Sequence, residues 1–240
     1  ENVQQDHDIT VRFGIASGVV DPDITGVSGW LNTKDHFAYV QGYPGGSFLP
    51  NQNLTRAETA QMFYNLLLEQ DVPITVEFAD VADSAWYAEA VNALASLEIV
   101  NVTGDGVFAP ERSITRAEFT AIAMRFADLA TGGDNPFTDV VADSWYYDYV
   151  VGSTQYGWIT GYADGTFRPE APITRAEVTA IVNRMLGRSA DTAYALEHTS
   201  SLNQFNDLPS SHWAYWQVVE ASNGHRYEKQ EGLEVWTGLQ

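Results

Sequence analysis

The tetrapeptide Thr174-Arg175-Ala176-Glu177 decides the fold, because the same four residues stand at two earlier places in the chain. The other copies occupy residues 55–58 and 115–118, and the three copies begin 60 and 59 residues apart. Each copy follows a proline by five residues and a phenylalanine by seven. A motif that recurs in register at a nearly fixed period is typical of a repeat protein.

A second block alternates with the first. It contains a phenylalanine, an aspartate two residues later and a tryptophan eight residues after the phenylalanine, and it begins at Phe78, Phe137 and Phe205. The chain meets a Thr-Arg-Ala-Glu block first and a Phe-x-Asp block last, so both ends of the repeat region are half-units. We predict that the C-terminal half-unit docks beside the N-terminal one and closes a ring of three units, which buries faces that an open array exposes.

Both blocks predict helices. Thr at the N-cap and Glu three residues later form a capping box, and apolar residues then recur with the i, i+3, i+4, i+7 spacing of an amphipathic helix. In the second block, Ser84, Asp143 and Ser211 precede the tryptophan as cap-type residues, which predicts that a second helix begins there. Between the helices lies a glycine-rich turn, in which Gly46, Gly106 and Gly165 align where the backbone needs φ > 0.

Composition excludes several classes of function. The 240 residues are 45% hydrophobic, contain no cysteine and carry a formal net charge of −20. Such a charge disfavours non-specific binding to nucleic acid or to an anionic membrane. No apolar run reaches the ~20 residues that a transmembrane helix needs, and the absence of cysteine removes thiolate metal sites and cysteine nucleophiles.

The repeated motifs resemble the S-layer homology (SLH) family, and the resemblance extends over residues 33 to 223. It implies a mainly α fold, a pseudo-threefold SLH trimer in which three helix-loop-helix units with short extended segments form a three-pronged spindle. It also implies a monomeric, extracellular module that anchors a Gram-positive surface protein, commonly at that protein's C-terminus, to cell-wall polysaccharide carrying pyruvate ketals. Nucleic acid, membrane insertion and cofactors are not expected.

The expected organisation follows from the motif positions. A linker or N-terminal extension is expected at 1–32, where the run 9–13 is β-like. The second half of unit 1 is expected at 33–77 and unit 2 at 78–136. Unit 3 is expected at 137–204, with an insertion at 188–204. The half-unit that completes unit 1, followed by a tail, is expected at 205–240.

The candidate ligand-binding residues begin with the three arginines of the repeat, Arg56, Arg116 and Arg175. Each would stand at the first helical position, where the helix dipole disfavours a cation by a few tenths of a kcal/mol up to ~1 kcal/mol. An incoming carboxylate would compensate, because a helix N-terminus beside a guanidinium is an anion site. Alternatively, each arginine pairs with an internal acid and ties units together; the candidate acids are Asp80, Asp139 and Asp207.

Unit 3 retains the family pattern most fully and adds a further cation, Arg168, so we expect the groove lined by unit 3 to bind best, with Asp164 and Gly165 contributing. The turn glycines would let backbone approach a sugar. Trp86, Trp145 and Trp213 offer rings for stacking on a pyranose, although a tryptophan that leads an amphipathic helix is more often part of the core, and we favour the core assignment.

Other functions fit the residues less well. The recurrent carboxylates are structural positions rather than a singular acid/base pair, so no catalytic residues are expected. The histidines show no metal-ligand spacing, so no metal site is expected, and calcium is only weakly indicated; they are His7, His36, His198, His212 and His225. The alternatives left open are binding to polyamine-modified peptidoglycan, which would suit an acidic protein, and self-assembly into an S-layer lattice.

Overall fold

A computed structural model describes residues 19–101, 106–130, 132–230 and 233–240. The described residues are mainly helical, with one antiparallel hairpin at the C-terminal end. None of these helices has the length and apolarity needed to cross a bilayer. The elements are α1 (Pro22–Thr25), a 3-10 turn (Val27–Gly29), α2 (Arg56–Leu66), α3 (Ala88–Ser96), α4 (Arg116–Met124), α5 (Tyr147–Gln155), α6 (Arg175–Met185), α7 (Thr192–Glu197), a 3-10 turn (Thr199–Ser201), α8 (Tyr215–Ser222), β1 (His225–Gln230) and β2 (Leu233–Leu239).

A closed cycle of backbone hydrogen bonds joins the three units. The residue before each repeated threonine donates its amide to its counterpart in another unit: Leu54 to the Ile173 carbonyl (3.1 Å), Ile173 to Ile114 (3.1 Å) and Ile114 to Leu54 (2.9 Å). The three side chains are buried in the core at this junction. The predicted pseudo-threefold ring is therefore present, and its centre is both hydrogen-bonded and apolar.

The predicted capping boxes are confirmed in α2, α4 and α6. In each, the threonine hydroxyl accepts from the glutamate amide, and the glutamate carboxylate accepts from the threonine amide. The neighbouring unit satisfies the next two amides. Arg175 donates to the Gln52 carbonyl (2.9 Å), Ala176 donates to the Pro50 carbonyl (3.0 Å), and the equivalent bonds recur at α2 and α4. Each helix start is thus completed by another unit.

The C-terminal half-unit completes unit 1. Asp207 accepts from the amides of Phe48 (2.7 Å) and Leu49 (2.8 Å), across 159 and 158 residues of sequence. Asp80 and Asp139 make the same pair of bonds within units 2 and 3, across 28 and 29 residues. The aspartates of the second block are therefore turn-holding groups, and the predicted closure of the ring is confirmed.

The turns need both glycine and this aspartate clamp. Gly46, Gly106 and Gly165 have φ of 80°, 74° and 78°, as predicted. The residue after each phenylalanine also has positive φ although it is not glycine, a conformation that costs an L-residue about 1 kcal/mol or more; these residues are Leu49 (57°), Ala109 (56°) and Arg168 (60°). The two hydrogen bonds that the aspartate accepts from the turn amides offset that cost.

The second helix of each unit begins later than predicted. The structure starts these helices at Ala88, Tyr147 and Tyr215, after the tryptophan, and their N-cap residues make no side-chain cap bond. The cap-type residues Ser84 and Ser211 instead lie in turns, closed in unit 2 by bonds such as Ala85 to the Ala82 carbonyl (2.8 Å). Local turn hydrogen bonds take the place of a helical cap there.

The described parts of the segments flanking the repeats are folded. Val27 and Leu31, within the range expected to be a linker or extension, are fully buried in the main core, while the β-like run at 9–13 lies outside the described residues. The insertion forms α7, and the tail forms the β1–β2 hairpin, which sequence reasoning missed. Together with α8 they build a second small core around Ala195, Val219 and Trp236.

We expect Asp207→Ala to lower the free energy of unfolding by about 2–3 kcal/mol, because it removes two charge-assisted hydrogen bonds at a partly exposed site and leaves Leu49 in a strained conformation. Urea unfolding followed by circular dichroism measures the change. Asp134→Ala, at an exposed loop acid, serves as the matched control. Equal stability of the two variants would contradict closure through this contact.

The same contact predicts a pH dependence. Burial alone would raise the pKa of Asp207, but the Phe48 and Leu49 amides lower it below its usual 3.8. A lowered folded-state pKa gives stability that is complete above the unfolded value and is lost as pH falls through the folded value. The stability difference between wild type and Asp207→Asn should therefore be constant above about pH 5 and shrink below pH 3.8. Unfolding free energies measured from pH 7 to 2.5 test this, and a pH-independent difference would refute it.

Candidate functional site

Two grooves between units of the ring are formed by described residues. The first-unit groove has a volume of about 610 Å³ and is lined, among others, by Gln41, Glu58, Gln61, Trp86 and Arg175. The third-unit groove has a volume of about 390 Å³, and its lining residues include Arg116, Tyr162, Glu177, Arg184 and Trp213. Each combines the turn and Thr-Arg-Ala-Glu helix of one unit with an arginine and a tryptophan from its two neighbours. The motif residues of different units therefore meet in one site.

The three arginines act first as braces between units. The Nε atoms of Arg56, Arg116 and Arg175 donate to the carbonyls of Phe108 (2.7 Å), Phe167 (2.8 Å) and Phe48 (2.9 Å) in the next unit. Each guanidinium also lies over the ring of that phenylalanine, at 4.6 to 4.9 Å. The interpretation of the arginines as inter-unit ties is therefore correct, and it explains why cations stand at helix N-termini.

Their acidic partners differ from the predicted ones. The aspartates Asp80, Asp139 and Asp207 accept from turn amides instead, and glutamates of the repeat pair with two of the three arginines. Arg116 pairs with Glu177 at 3.0 Å. Arg56 lies 3.5 Å from Glu118, whose stronger partner is Arg112 at 2.6 Å.

Glu177 shows how firmly Arg116, the arginine in the third-unit groove, is bound. Burial opposes ionisation of Glu177, but the Tyr162 hydroxyl (2.6 Å), the Thr174 amide and Arg116 together hold its pKa below the usual 4.5. Arg116 is 5% exposed. Its charge is therefore neutralised within the protein.

Arg175 is different. It is half-buried, its Nε binds the Phe48 carbonyl, and its Nη2 donates to the Gln41 carbonyl at 2.8 Å. Within the described part of the chain it forms no ion pair, and its Nη1 has no hydrogen-bond partner. Glu58, at the position equivalent to Glu177, accepts from Thr55 (2.8 Å) and Tyr43 (3.5 Å) instead. The first-unit groove thus contains a cation whose charge is not paired.

The expectation that helix N-termini bind the ligand is contradicted. In α6 the Arg175 and Ala176 amides donate to carbonyls of unit 1, and the Glu177 amide donates to the Thr174 hydroxyl (3.4 Å). The same arrangement occurs in α2 and α4. These amides are consumed in joining the units and are not available to an anion.

The assignment of the three tryptophans to the core is wrong. Trp86, Trp145 and Trp213 are 63%, 57% and 61% exposed. Because each precedes its helix, it lies outside the helix's apolar stripe, and Trp86 and Trp213 line the two grooves instead. Exposed tryptophan rings, which stacking on a sugar would need, are therefore present, although the sequence favoured their assignment to the core.

Three predicted site residues in the turn of unit 3 do not line either of the two grooves: Asp164, Gly165 and Arg168. Arg168 pairs with Asp164 at 2.9 Å and lies over the Tyr162 ring at 3.9 Å. Hydrogen bonds from Thr166 and Arg168 lower the pKa of Asp164 to about 2. Gly165, like Gly46 and Gly106, shapes its turn. The larger groove belongs to the turn of unit 1, with unit 3 supplying only Arg175 and its helix.

Sequence reasoning missed the polar residues along the first-unit groove. Gln61 donates to Asn65 at 2.8 Å, one turn apart on the polar side of α2, and Gln41 and Gln70 complete a set of amide side chains. A run of amides opposite the apolar stripe of α2 is the signal that could have located them.

A second polar cluster lies elsewhere and unites residues from both ends of the described chain. His36, Glu220, His225 and Glu234 are all buried, and their nitrogen and oxygen atoms lie within 4.8 Å of one another. Spacing along the sequence could not reveal it, because the two histidines are 189 residues apart.

Comparison with known proteins accords with this architecture. The S-layer homology domain model matches residues 38–60, 77–120 and 136–179. The chain is 36% identical over 85% of its length to a cellulosome-anchoring protein of Acetivibrio thermocellus, and 33% identical over 85% to cell surface glycoprotein 1 of the same organism. It is also 34% identical over 73% of its length to exoglucanase XynX of that organism. The chain belongs to the S-layer homology family.

The chain corresponds to only part of each of these relatives. It spans 46% of the cellulosome-anchoring protein, 9% of the surface glycoprotein and 17% of the exoglucanase.

The arginine contacts predict unequal contributions to stability. Arg116→Ala should lower the free energy of unfolding by about 2–4 kcal/mol, because it leaves Glu177 and a buried carbonyl without their partner. Arg175→Ala should cost only about 1–2 kcal/mol, since no acid is left unpaired. Urea unfolding of both variants measures the difference. Equal losses would mean that Arg175 is held as tightly as Arg116.

Proposed function

We propose that the chain is a non-catalytic anchor that attaches a bacterial surface protein non-covalently to cell-wall polysaccharide, and that the first-unit groove binds an acidic sugar of that polymer. The main support for this proposal is that Arg175 lines the groove and forms no ion pair among the described residues. Family membership and the named relatives support the anchoring role, which places the chain at the cell surface.

The chemistry of the groove suits a glycan. Amide side chains offer both donors and acceptors to hydroxyl groups, and Trp86 stands at the groove with most of its ring exposed. Leu54, Met62 and Val178 contribute apolar surface. Binding sites for small molecules combine such apolar walls with a few placed polar groups.

Arg175 favours a carboxylate on the sugar. A guanidinium retaining a free donor can add a charge-assisted hydrogen bond, which is stronger than a neutral one. We propose that this carboxylate belongs to a pyruvate ketal. A pyruvate ketal supplies one carboxylate on a pyranose, which matches one cation, Arg175, beside one aromatic ring, Trp86. A cationic polyamine would meet Arg175 as a like charge, which disfavours the polyamine alternative at this groove.

A catalytic role has little support in the groove. Glu58, a carboxylate that lines it, is committed to the α2 capping box, and the recurrent aspartates hold turn amides. A relative named as an exoglucanase is matched over only 17% of its length, which fits a shared anchoring segment.

We expect Arg175→Ala to weaken binding to purified wall polysaccharide by about 10- to 150-fold, the loss of one charged hydrogen bond. Trp86→Ala should weaken it roughly two- to tenfold without disturbing the inter-unit brace. Arg226→Ala, which removes an exposed arginine on β1, is the matched control and should bind like wild type. Isothermal titration calorimetry on chains of verified fold provides the constants.

Binding of the chain to cell-wall fractions, measured before and after chemical removal of pyruvate, distinguishes the pyruvate ketal from other wall ligands. Loss of binding after depyruvylation supports the ketal; undiminished binding contradicts it. Concentration-dependent assembly without wall polymer would indicate an S-layer lattice function instead. Unchanged affinity in both Arg175→Ala and Trp86→Ala would exclude the first-unit groove.

A further inference from the structure

The buried cluster of His36, Glu220, His225 and Glu234 is far more polar than its surroundings. The four residues are between 0% and 5% exposed. Three of the four carboxylate oxygens, both of Glu220 and Oε2 of Glu234, have no hydrogen-bond partner among the described residues. Burying carboxylate oxygens that accept no hydrogen bond costs several kcal/mol each, and a cation bound among them would offset that cost.

We propose that this cluster is a structural binding site for a divalent transition-metal ion of the zinc type. The donor atoms are His36 Nδ1, His225 Nε2, Glu220 Oε1 and Glu234 Oε2. A tetrahedral zinc ion with bonds of about 2.0–2.1 Å separates its ligand atoms by about 3.3–3.4 Å. Five of the six distances between donors are close to that value: His36 lies 3.0 Å from His225, 3.4 Å from Glu220 and 3.2 Å from Glu234, and His225 lies 3.5 and 3.7 Å from the two glutamates. The two glutamate oxygens lie within 4.8 Å of each other.

The surrounding groups orient these donors. His225 Nδ1 lies 2.8 Å from the Asn223 carbonyl, so that bond fixes the proton on Nδ1 and leaves Nε2 unprotonated as a ligand. Glu234 Oε1 accepts from the Ser189 amide at 3.1 Å, which leaves Oε2 for the ion. The His225 ring stacks on Trp236 at 3.8 Å, and the His36 ring stacks on Tyr227 at 3.9 Å. The ligands are thus held in place by their neighbours.

The donor set indicates the class of ion. Imidazole nitrogen and carboxylate oxygen suit zinc and similar transition metals, whereas calcium takes six to eight oxygen ligands and magnesium an octahedral oxygen shell. The protein supplies all four ligands, which is characteristic of structural rather than catalytic zinc sites. Among the described residues, the nearby buried Arg188 donates to three backbone carbonyls and to neither carboxylate.

The position gives the ion a purpose in the fold. His36 lies near the start of unit 1, Glu220 in α8 of the closing half-unit, and His225 and Glu234 in the hairpin. His36 and His225 are also joined by a backbone bond from the His225 amide to the His36 carbonyl, 2.9 Å long. A metal at this point would fasten the two ends of the repeat region and the hairpin together.

The competing arrangement is a proton in place of the metal. Although burial alone would lower the pKa of His36, contacts with Glu220 and Glu234 raise it overall. An imidazolium would neutralise one carboxylate, but it would need no Zn²⁺ and would give no metal-dependent stability.

The test uses the full 240-residue chain stripped with a chelator and titrated with Zn²⁺ alone. We expect uptake of one ion per chain and a rise in melting temperature of roughly 5–10 °C at a hundredfold excess over Kd. Glu220→Gln keeps the side-chain shape and should abolish both effects. Glu197→Gln, an exposed glutamate on α7, is the matched control and should retain both.

The proposal is overturned if the stripped protein takes up no Zn²⁺, or if Glu220→Gln retains the same uptake and melting shift. If Glu220→Gln fails to fold, Co²⁺ binding to the wild-type chain decides: the intense visible absorption of tetrahedral Co²⁺ supports the site, and its absence overturns it.

Discussion

The structure depends on an exchange of hydrogen bonds between units that no unit can satisfy alone. The first amides of each Thr-Arg-Ala-Glu helix donate to carbonyls of a neighbour, and the arginine at its first position donates to the carbonyl of a phenylalanine there. Unpaired backbone groups at buried helix ends are costly. The ring therefore has to close, and Asp207 completes it from the far end of the chain.

This constraint also limits where a ligand can bind. The helix amides are used in assembly, and two of the three arginines are also paired with an acid, so repetition of a motif does not give three equivalent arginines. Asymmetry arises from single positions. Arg116 is neutralised by Glu177. Glu118 pairs more closely with Arg112 than with Arg56. Glu58 accepts from the Thr55 amide and does not pair with Arg175. The proposed binding site is the first-unit groove, because its inter-unit arginine, Arg175, has no acidic partner among the described residues.

Much of the fold could be predicted because its signals are local or repeated. Capping boxes, turn glycines and the half-units at the two ends specify helices, turns and ring closure from the sequence. The acids that pair with Arg56 and Arg116 could not be predicted, since the pairing depends on how units are rotated against one another. The exposure of Trp86 depends on where α3 begins, and the buried cluster of His36 and His225 depends on a contact between distant segments.

The most direct test of the account is a co-crystal structure of the chain with a defined pyruvylated disaccharide. The account predicts that the ketal carboxylate lies within hydrogen-bond distance of Arg175, with a sugar ring against Trp86 and the inter-unit backbone bonds unchanged. A sugar bound instead beside the Arg168–Asp164 turn, with the first-unit groove unfilled, would contradict it.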